Sequence, residues 1–300
     1  MLRLMLNVHS QVHVPRESWF LIELMDKLPL SGALTLQQVM QAGEIITQHR
    51  RWPDWNITDS ALIAALEKLR APTLAQLIDA VFRLSAQQDN KPLWADKTPE
   101  YVIRIADLHR VFPKAKFIHV IRDGRDVCLS LLKTGWRGQT IRQISAYWSD
   151  YVLRGHAAST PLGPDLYREV RYEDLVLDTE GELRSLCGFL NLSFEPQMLE
   201  FWKTSAQQIA GWEGQYHSKT ARPPRPGDAF RWRQEMSRFQ IVIFEAIGGH
   251  AMKIMGQKRK YRGLRRAGPL FILTLDALAR WSLPARNRLG IHFPKLQRWF

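Results

Sequence analysis

Apolar positions recur at helical spacing over most of this chain and crowd into short unbroken runs at two places. The helical spacing predicts helices over about 35–49, 59–70, 72–87, 100–111, 124–134, 139–158, 179–190 and 234–254. Met1 to Ser10 reads as a further helix, with Leu2, Met5 and Leu6 on one buried face. The unbroken runs, at about 116–122 and 166–172, predict strands of the kind buried on both faces of a parallel sheet. Alternation of strand and helix implies an α/β three-layer fold, a parallel sheet flanked by helices.

The segment Lys114 to Leu132 carries the most chemical information. Phe117, Ile118, Val120 and Ile121 form the apolar run, Asp123-Gly124 supplies turn chemistry, and a helical pattern follows. A helix N-terminus at the carboxyl end of a strand favours anions through its backbone N–H groups and positive dipole end. Arg122 adds a planar bidentate donor fork there, and Ser130, two turns into the helix, adds a hydroxyl. The same residues also fit a solvated strand-to-helix loop whose arginines pair with Asp123 and Asp126.

Three pieces in order, Asp96-Lys97-Thr98-Pro99, Phe112-Pro113 and Phe117-Ile118-His119-Val120-Ile121-Arg122-Asp123-Gly124-Arg125-Asp126-Val127, resemble the PAPS-dependent sulfotransferase family. The resemblance runs over roughly residues 1–256. It implies a three-layer sheet of the P-loop-NTPase type, PAPS as donor and PAP as product. It maps the grip on the donor's 3′-phosphate onto Arg122 and Ser130. Downstream, Arg171-Tyr172-Glu173-Asp174-Leu175 is similar to the family's Tyr-Glu-Asp-Leu signature, whose tyrosine lies near the adenine, here Tyr172. Arg225-Pro226-Gly227, ahead of Trp232, resembles the segment that closes a basic loop over the same phosphate, although a proline stands where a lysine is often found.

Family members begin with a strand and a Gly/Ser/Thr-rich loop that wraps the 5′-phosphosulfate. This chain begins with the helix that follows, and its first glycine is Gly32. Two expectations follow: a native protein carrying that strand and loop upstream, or a catalytically inactive nucleotide-binding remnant.

Sulfuryl transfer needs an anchored donor, stabilised charge on the departing oxygen and a base for the acceptor. Lys97, placed 25 residues before Arg122, resembles the lysine that contacts the sulfuryl group in cytosolic sulfotransferases; it also fits a solvated loop lysine. Pro99 stands where those enzymes place a histidine, which excludes a histidine base at that position. The segment from Met5 through Pro15-Arg16-Glu17-Ser18 is similar to the region of another branch, including protein-tyrosine sulfotransferases, that carries a glutamate base. That resemblance makes Glu17 the candidate base. A basic carboxylate there calls for a partly apolar pocket, which Trp19 and Phe20 could line. The alternative is that Glu17 flanks or caps a helix beginning near Ser18.

Composition narrows the remaining classes. Hydrophobic residues at 45% and charged residues at 24% are ordinary for a soluble globular chain. His9 and His13 stand at helical spacing without a third ligand at a metal-site interval. Cys128 and Cys187, both in predicted helices, read as buried thiols of a reducing compartment. The eleven tryptophans fall largely in apolar-periodic segments and read as core.

The net charge of +13 is concentrated in a tail, Gln257 to Phe300, where eleven Lys or Arg face one acid, Asp276. Pro269 to Trp281 in that tail is apolar but shorter than the roughly 20 residues that span a bilayer. It fits either an interfacial helix on an anionic membrane surface or a C-terminal helix packed on the domain. No nucleic-acid motif accompanies the charge. The first thirty residues lack a signal-peptide pattern, so the expected location is the cytoplasm, with peripheral membrane attachment through the tail. The acceptor expected from the resemblance is a hydroxyl or amine on a small molecule, carbohydrate or lipid.

Overall fold

A computed structural model of the chain describes residues 1–135, 137–208 and 218–261. Its helices are α1 (Leu2–Val8), α2 (Phe20–Lys27), α3 (Leu36–Gln48), α4 (Asp59–Glu67), α5 (Leu74–Gln88), α6 (Ile105–Val111), α7 (Gly124–Thr134), α8 (Ile141–Ala157), α9 (Ser159–Leu166), α10 (Tyr172–Leu177), α11 (Thr179–Leu190), α12 (Ser205–Gln208), α13 (Trp232–Glu235) and α14 (Arg238–Ile254). The strands are β1 (Val12–His13), β2 (Leu93–Trp94), β3 (Phe117–Ile121) and β4 (Tyr167–Arg171).

Helix starts follow local chemistry. Thr35, Thr73 and Ser237 each accept from the backbone N–H three residues on, and Gln38, Gln76 and Gln240 reciprocate, giving capping boxes on α3, α5 and α14. Asp123 and Asp178 cap α7 and α11. Left-handed residues end the same two helices, Gly135 at φ 68° and Asn191 at φ 60°.

Both strand pairs are parallel, as the pattern implies, but among the described residues they form two separate two-stranded sheets. β3 and β4 pair in register from Phe117↔Tyr167 to Ile121↔Arg171. β1 and β2 pair Val12↔Leu93 and His13↔Trp94. Two residues carry no readable periodicity, which is why the sequence pattern gives neither β1 nor β2.

The chain divides into two compact units, one of Met1–Ile121 with Arg154–Ala229, the other of Arg122–Leu153 with Phe230 onward. In the first, one core joins α2 to α5 through a chain of rings. Phe20 lies 5.1 Å from Trp55, Trp55 4.9 Å from Phe82, and Phe82 4.2 Å from Trp94. Another core gathers Leu4, Met5 and Leu6 of α1 with Val12, Val170, Leu183 and Phe201.

In the second unit Trp148 and Phe244 pack 5.5 Å apart against the start of α7. Residues 257–261 belong to this packing: Lys258 O accepts from Arg125, and the amides of Lys260 and Tyr261 donate to Glu245. The apolar run Pro269 to Trp281 lies outside the described residues. Cys128 and Cys187 are buried thiols, on α7 and α11.

Candidate active site

Parallel pairing puts the carboxyl ends of β1 and β2 at one edge, and the chain just beyond each end carries a candidate residue. Glu17 lies four residues past His13 and Lys97 three past Trp94. Lys97 Nζ is hydrogen-bonded to Glu17 Oε1. The neighbours of this pair hold it in place. Ser18 N donates to Thr98 Oγ1 at 3.2 Å, and Ser18 Oγ donates to Asp96 Oδ2. With its single proton so used, that hydroxyl accepts from Tyr101 OH. Asp96 and Thr98 thus clamp Ser18 from both sides of Lys97.

Glu17 has two further partners. Trp19 Nε1 donates to its Oε2 at 2.8 Å, and Arg51 Nη2 lies 3.5 Å from the same oxygen. Arg51 also pairs with Asp54 at 3.2 Å, and Arg16 stands 3.7 Å from Asp54. Burial pushes the Glu17 carboxyl up, but Lys97, the Trp19 indole and Arg51 together outweigh it and hold Glu17 below its ordinary value.

Among the described residues, the apolar pocket expected for Glu17 is therefore absent. Phe20 is fully buried among Trp52 and Trp55, and Trp19 offers its polar edge rather than its face. Nor does Glu17 cap a helix, because α2 starts at Phe20 with Trp19 as the preceding residue and no side-chain cap. Trp19 takes φ 34°, a left-handed conformation that costs a bulky residue about 1–3 kcal/mol. Ser18 follows Glu17 within the segment Pro15-Arg16-Glu17-Ser18, whereas Arg51 and Tyr101 carry no sequence signal of their own. Asp96 and Thr98 do, since they flank Lys97 within one motif.

Asp123 accepts from Arg125 N, and Gly124 N meets Gln257 Oε1 at 3.4 Å, so the first amides of α7 are already engaged. Gly124 is there for space rather than for a turn: a Cβ would lie 2.3 Å from Phe244 Cζ and 2.6 Å from Trp148 Cδ2. Arg125 is enclosed, paired with Asp123 at 2.7 Å and Glu245 at 2.8 Å, with Trp232 stacked 3.5 Å away. Arg122 Nη2 lies 3.5 Å from Asp126 Oδ2, while Asp126 Oδ1 accepts from Trp232 N at 2.8 Å. Both arginines thus pair with the adjacent acids, Arg125 buried and Arg122 half-buried. Ser130 is half-buried in the second turn of α7.

Tyr172, Arg225 and Gly227 belong to the first unit, Arg122 and Ser130 to the second. Tyr172 is half-buried as the first residue of α10. Arg225 and Gly227 are exposed in a short turn organised by Asp228. That acid takes both Nη groups of Arg222, at 2.7 and 2.8 Å, and the Arg225 amide at 3.1 Å. Among the described residues, nothing lies within 4 Å of a Cβ built on Gly227. Arg222 was not singled out by the sequence pattern.

His9 and His13 are buried hydrogen-bond links. His9 Nε2 meets Ser193 O at 2.9 Å, and His13 lies between Asp89 and Ser85, 2.8 Å from each. Ser85, His13 and Asp89 have the order of a nucleophile, base and orienter, yet Ser85 is only 2% exposed inside α5. Among the described residues no group of three ligands could hold a metal ion.

A profile of the sulfotransferase family matches residues 1–196. The chain belongs to the sulfotransferase family. Among its relatives, the omega-hydroxy-beta-dihydromenaquinone-9 sulfotransferase Stf3 of Mycobacterium bovis is 31% identical over 135 residues, 38% of this chain and 35% of that protein. The protein-tyrosine sulfotransferase of Drosophila melanogaster is 30% identical over 115 residues, 37% of this chain and 22% of that one. These matches therefore span about a third or less of the relatives' own length. The sulfotransferase domain from the curacin biosynthetic pathway has the same fold, with a TM-score of 0.56 at 20% identity over 86% of this chain and 93% of that domain. In this sulfotransferase-family chain both Glu17 and Lys97 fall inside the matched region.

Proposed function

We propose that this protein transfers a sulfuryl group from PAPS to a hydroxyl or amine acceptor, with Glu17 as general base and Lys97 as the group that steadies the sulfuryl oxygens. The observation that carries this reading is the Glu17–Lys97 pair, two residues eighty positions apart joined at the carboxyl edge of a parallel strand pair in a sulfotransferase-family chain. A base and a cation in contact with each other are poised to separate onto the two reacting partners.

At rest the pair neutralises itself. When donor and acceptor bind, Lys97 turns to the sulfuryl oxygens and Glu17 is left to accept the acceptor's proton. A bond forms between the acceptor atom and sulfur as the bond from sulfur to the bridging oxygen breaks. PAP departs with that electron pair and the proton rests on Glu17. Arg122 and Ser130 would hold the 3′-phosphate, with Tyr172 at the adenine and Arg225 and Gly227 in the closing loop.

Two relatives act on hydroxyl groups by their names, an omega-hydroxy menaquinone derivative and protein tyrosine, which favours a hydroxyl over an amine here. A lipid or other small-molecule alcohol at the cytoplasmic membrane surface would suit the basic tail. Transfer of label from sulfur-labelled PAPS to a panel of hydroxylated lipids, carbohydrates and phenols tests the reading. Transfer that is lost in Glu17→Gln and Lys97→Met supports it; transfer at an unchanged rate in Glu17→Gln overturns it.

A further inference from the structure

The Glu17 carboxylate is held unequally at its two oxygens. Oε2 takes the Trp19 indole at 2.8 Å and faces Arg51 at 3.5 Å, whereas Oε1 takes Lys97. The holders also differ in freedom. The Arg51 side chain is 10% exposed and its guanidinium is pinned a second time by Asp54. Arg51 directly precedes the 3₁₀ turn Trp52–Trp55, whose two tryptophans are buried against Phe20. Trp19 is fixed by its left-handed backbone and by Phe20 next to it in the core. Lys97, by contrast, is 46% exposed on a flexible four-carbon stem.

Resting on the reading of Glu17 as base, we infer that Trp19 and Arg51 are positioning residues that lock Oε2, leaving Oε1 as the oxygen that exchanges Lys97 for the acceptor's proton. A carboxylate held at one oxygen cannot swing away when its other partner leaves. Since a misplacement of about 1 Å can cost on the order of 10²-fold in rate, such an anchor has kinetic value. The strain at Trp19 fits this role, because its backbone conformation turns the indole N–H back onto a residue only two positions earlier. The charged groups around the carboxylate are Lys97 beyond β2 and Arg51 after α3, with Asp54 behind Arg51 and Arg16 beside Asp54.

The test combines two readouts on the full chain. Glutamate ¹³C carboxyl titration by NMR, with Glu17→Gln identifying the resonance, follows the carboxylate directly, and PAPS-dependent transfer is measured against pH. Trp19→Phe and Arg51→Met each raise the Glu17 pKa and move the acid limb of kcat/KM upward. Each lowers kcat on the order of tenfold with little change in acceptor KM, and Arg51→Lys recovers most of the loss. If both variants titrate and transfer like the parent while Glu17→Gln is inactive, Glu17 remains the base and the positioning role is overturned. If Glu17→Gln transfers at the parent rate, the base reading falls and this inference with it.

Discussion

Ser18 and Asp96 are joined by a hydrogen bond that fixes their sequence neighbours, Glu17 and Lys97, side by side. The arrangement explains the spacing within Asp96-Lys97-Thr98-Pro99. Asp96 and Thr98 engage Ser18, Lys97 between them reaches Glu17, and Pro99 starts the 3₁₀ turn Pro99–Ile103 that places Tyr101 on Ser18. With Lys97 in its proposed role, catalysis and scaffold alternate along four residues.

Replacing the base should be more damaging than replacing the cation. Glu17→Gln is expected to lower transfer by about 10²-fold or more, the usual contribution of a general base. Lys97→Met should lower it as well and raise the Glu17 pKa, because Lys97 is the largest influence holding that carboxyl down. Steady-state kinetics and carboxyl titration check the two parts separately.

Asp96 gives the fold a pH signature. Burial raises its carboxyl to about 6 from 3.8, against the hydrogen bond from Ser18 that favours the charged form. The folded state therefore binds this proton more tightly than the unfolded chain. The resulting stability is complete below about 3.8 and lost as pH rises through about 6. Asp96→Asn should remove that dependence, at most about 3 kcal/mol, in denaturant unfolding compared between pH 4 and pH 7.

Gly124→Ala should destabilise the second unit without touching a charge. The added methyl would meet Phe244 and Trp148 well inside contact distance, and overpacking of this kind costs about 1–3 kcal/mol. A lowered thermal midpoint is expected; an unchanged one would mean that the two rings move aside freely.

Arg122→Ala should weaken PAP binding by about 10–100-fold, the equivalent of one lost charge-assisted contact. Asp126 keeps the Trp232 amide as a partner in that variant, so the fold should survive. Calorimetric titration with PAP checks the prediction, and unchanged affinity would remove Arg122 from the donor site.

Deletion of residues 262–300 should abolish binding to vesicles rich in anionic lipid. That stretch holds eight Lys or Arg against Asp276, and each basic residue near such a surface adds about 1 kcal/mol. The cut is placed after Tyr261 because residues 257–261 pack within the second unit through Arg122, Arg125 and Glu245. Co-sedimentation that persists after deletion would assign the membrane contact elsewhere.

Much of the architecture was legible because its causes are local. The apolar runs of β3 and β4 and the helices over 35–49, 72–87 and 124–134 all follow from residues within a turn or two of one another. The resemblance of short motifs also singled out Glu17 and Lys97. Pairing, burial and competition for partners are different in kind, because they depend on which distant segments meet. Only the parallel register of β1 and β2 brings Glu17 to Lys97, and only the aromatic packing of Phe20 against Trp52 and Trp55 delivers Arg51 to the same carboxylate. The sequence alone determined which chemical groups are present and which helices carry them. The tertiary structure decided that Glu17 rests in an ion pair rather than an apolar pocket, because a carboxylate's basicity is set by the charges that folding places around it.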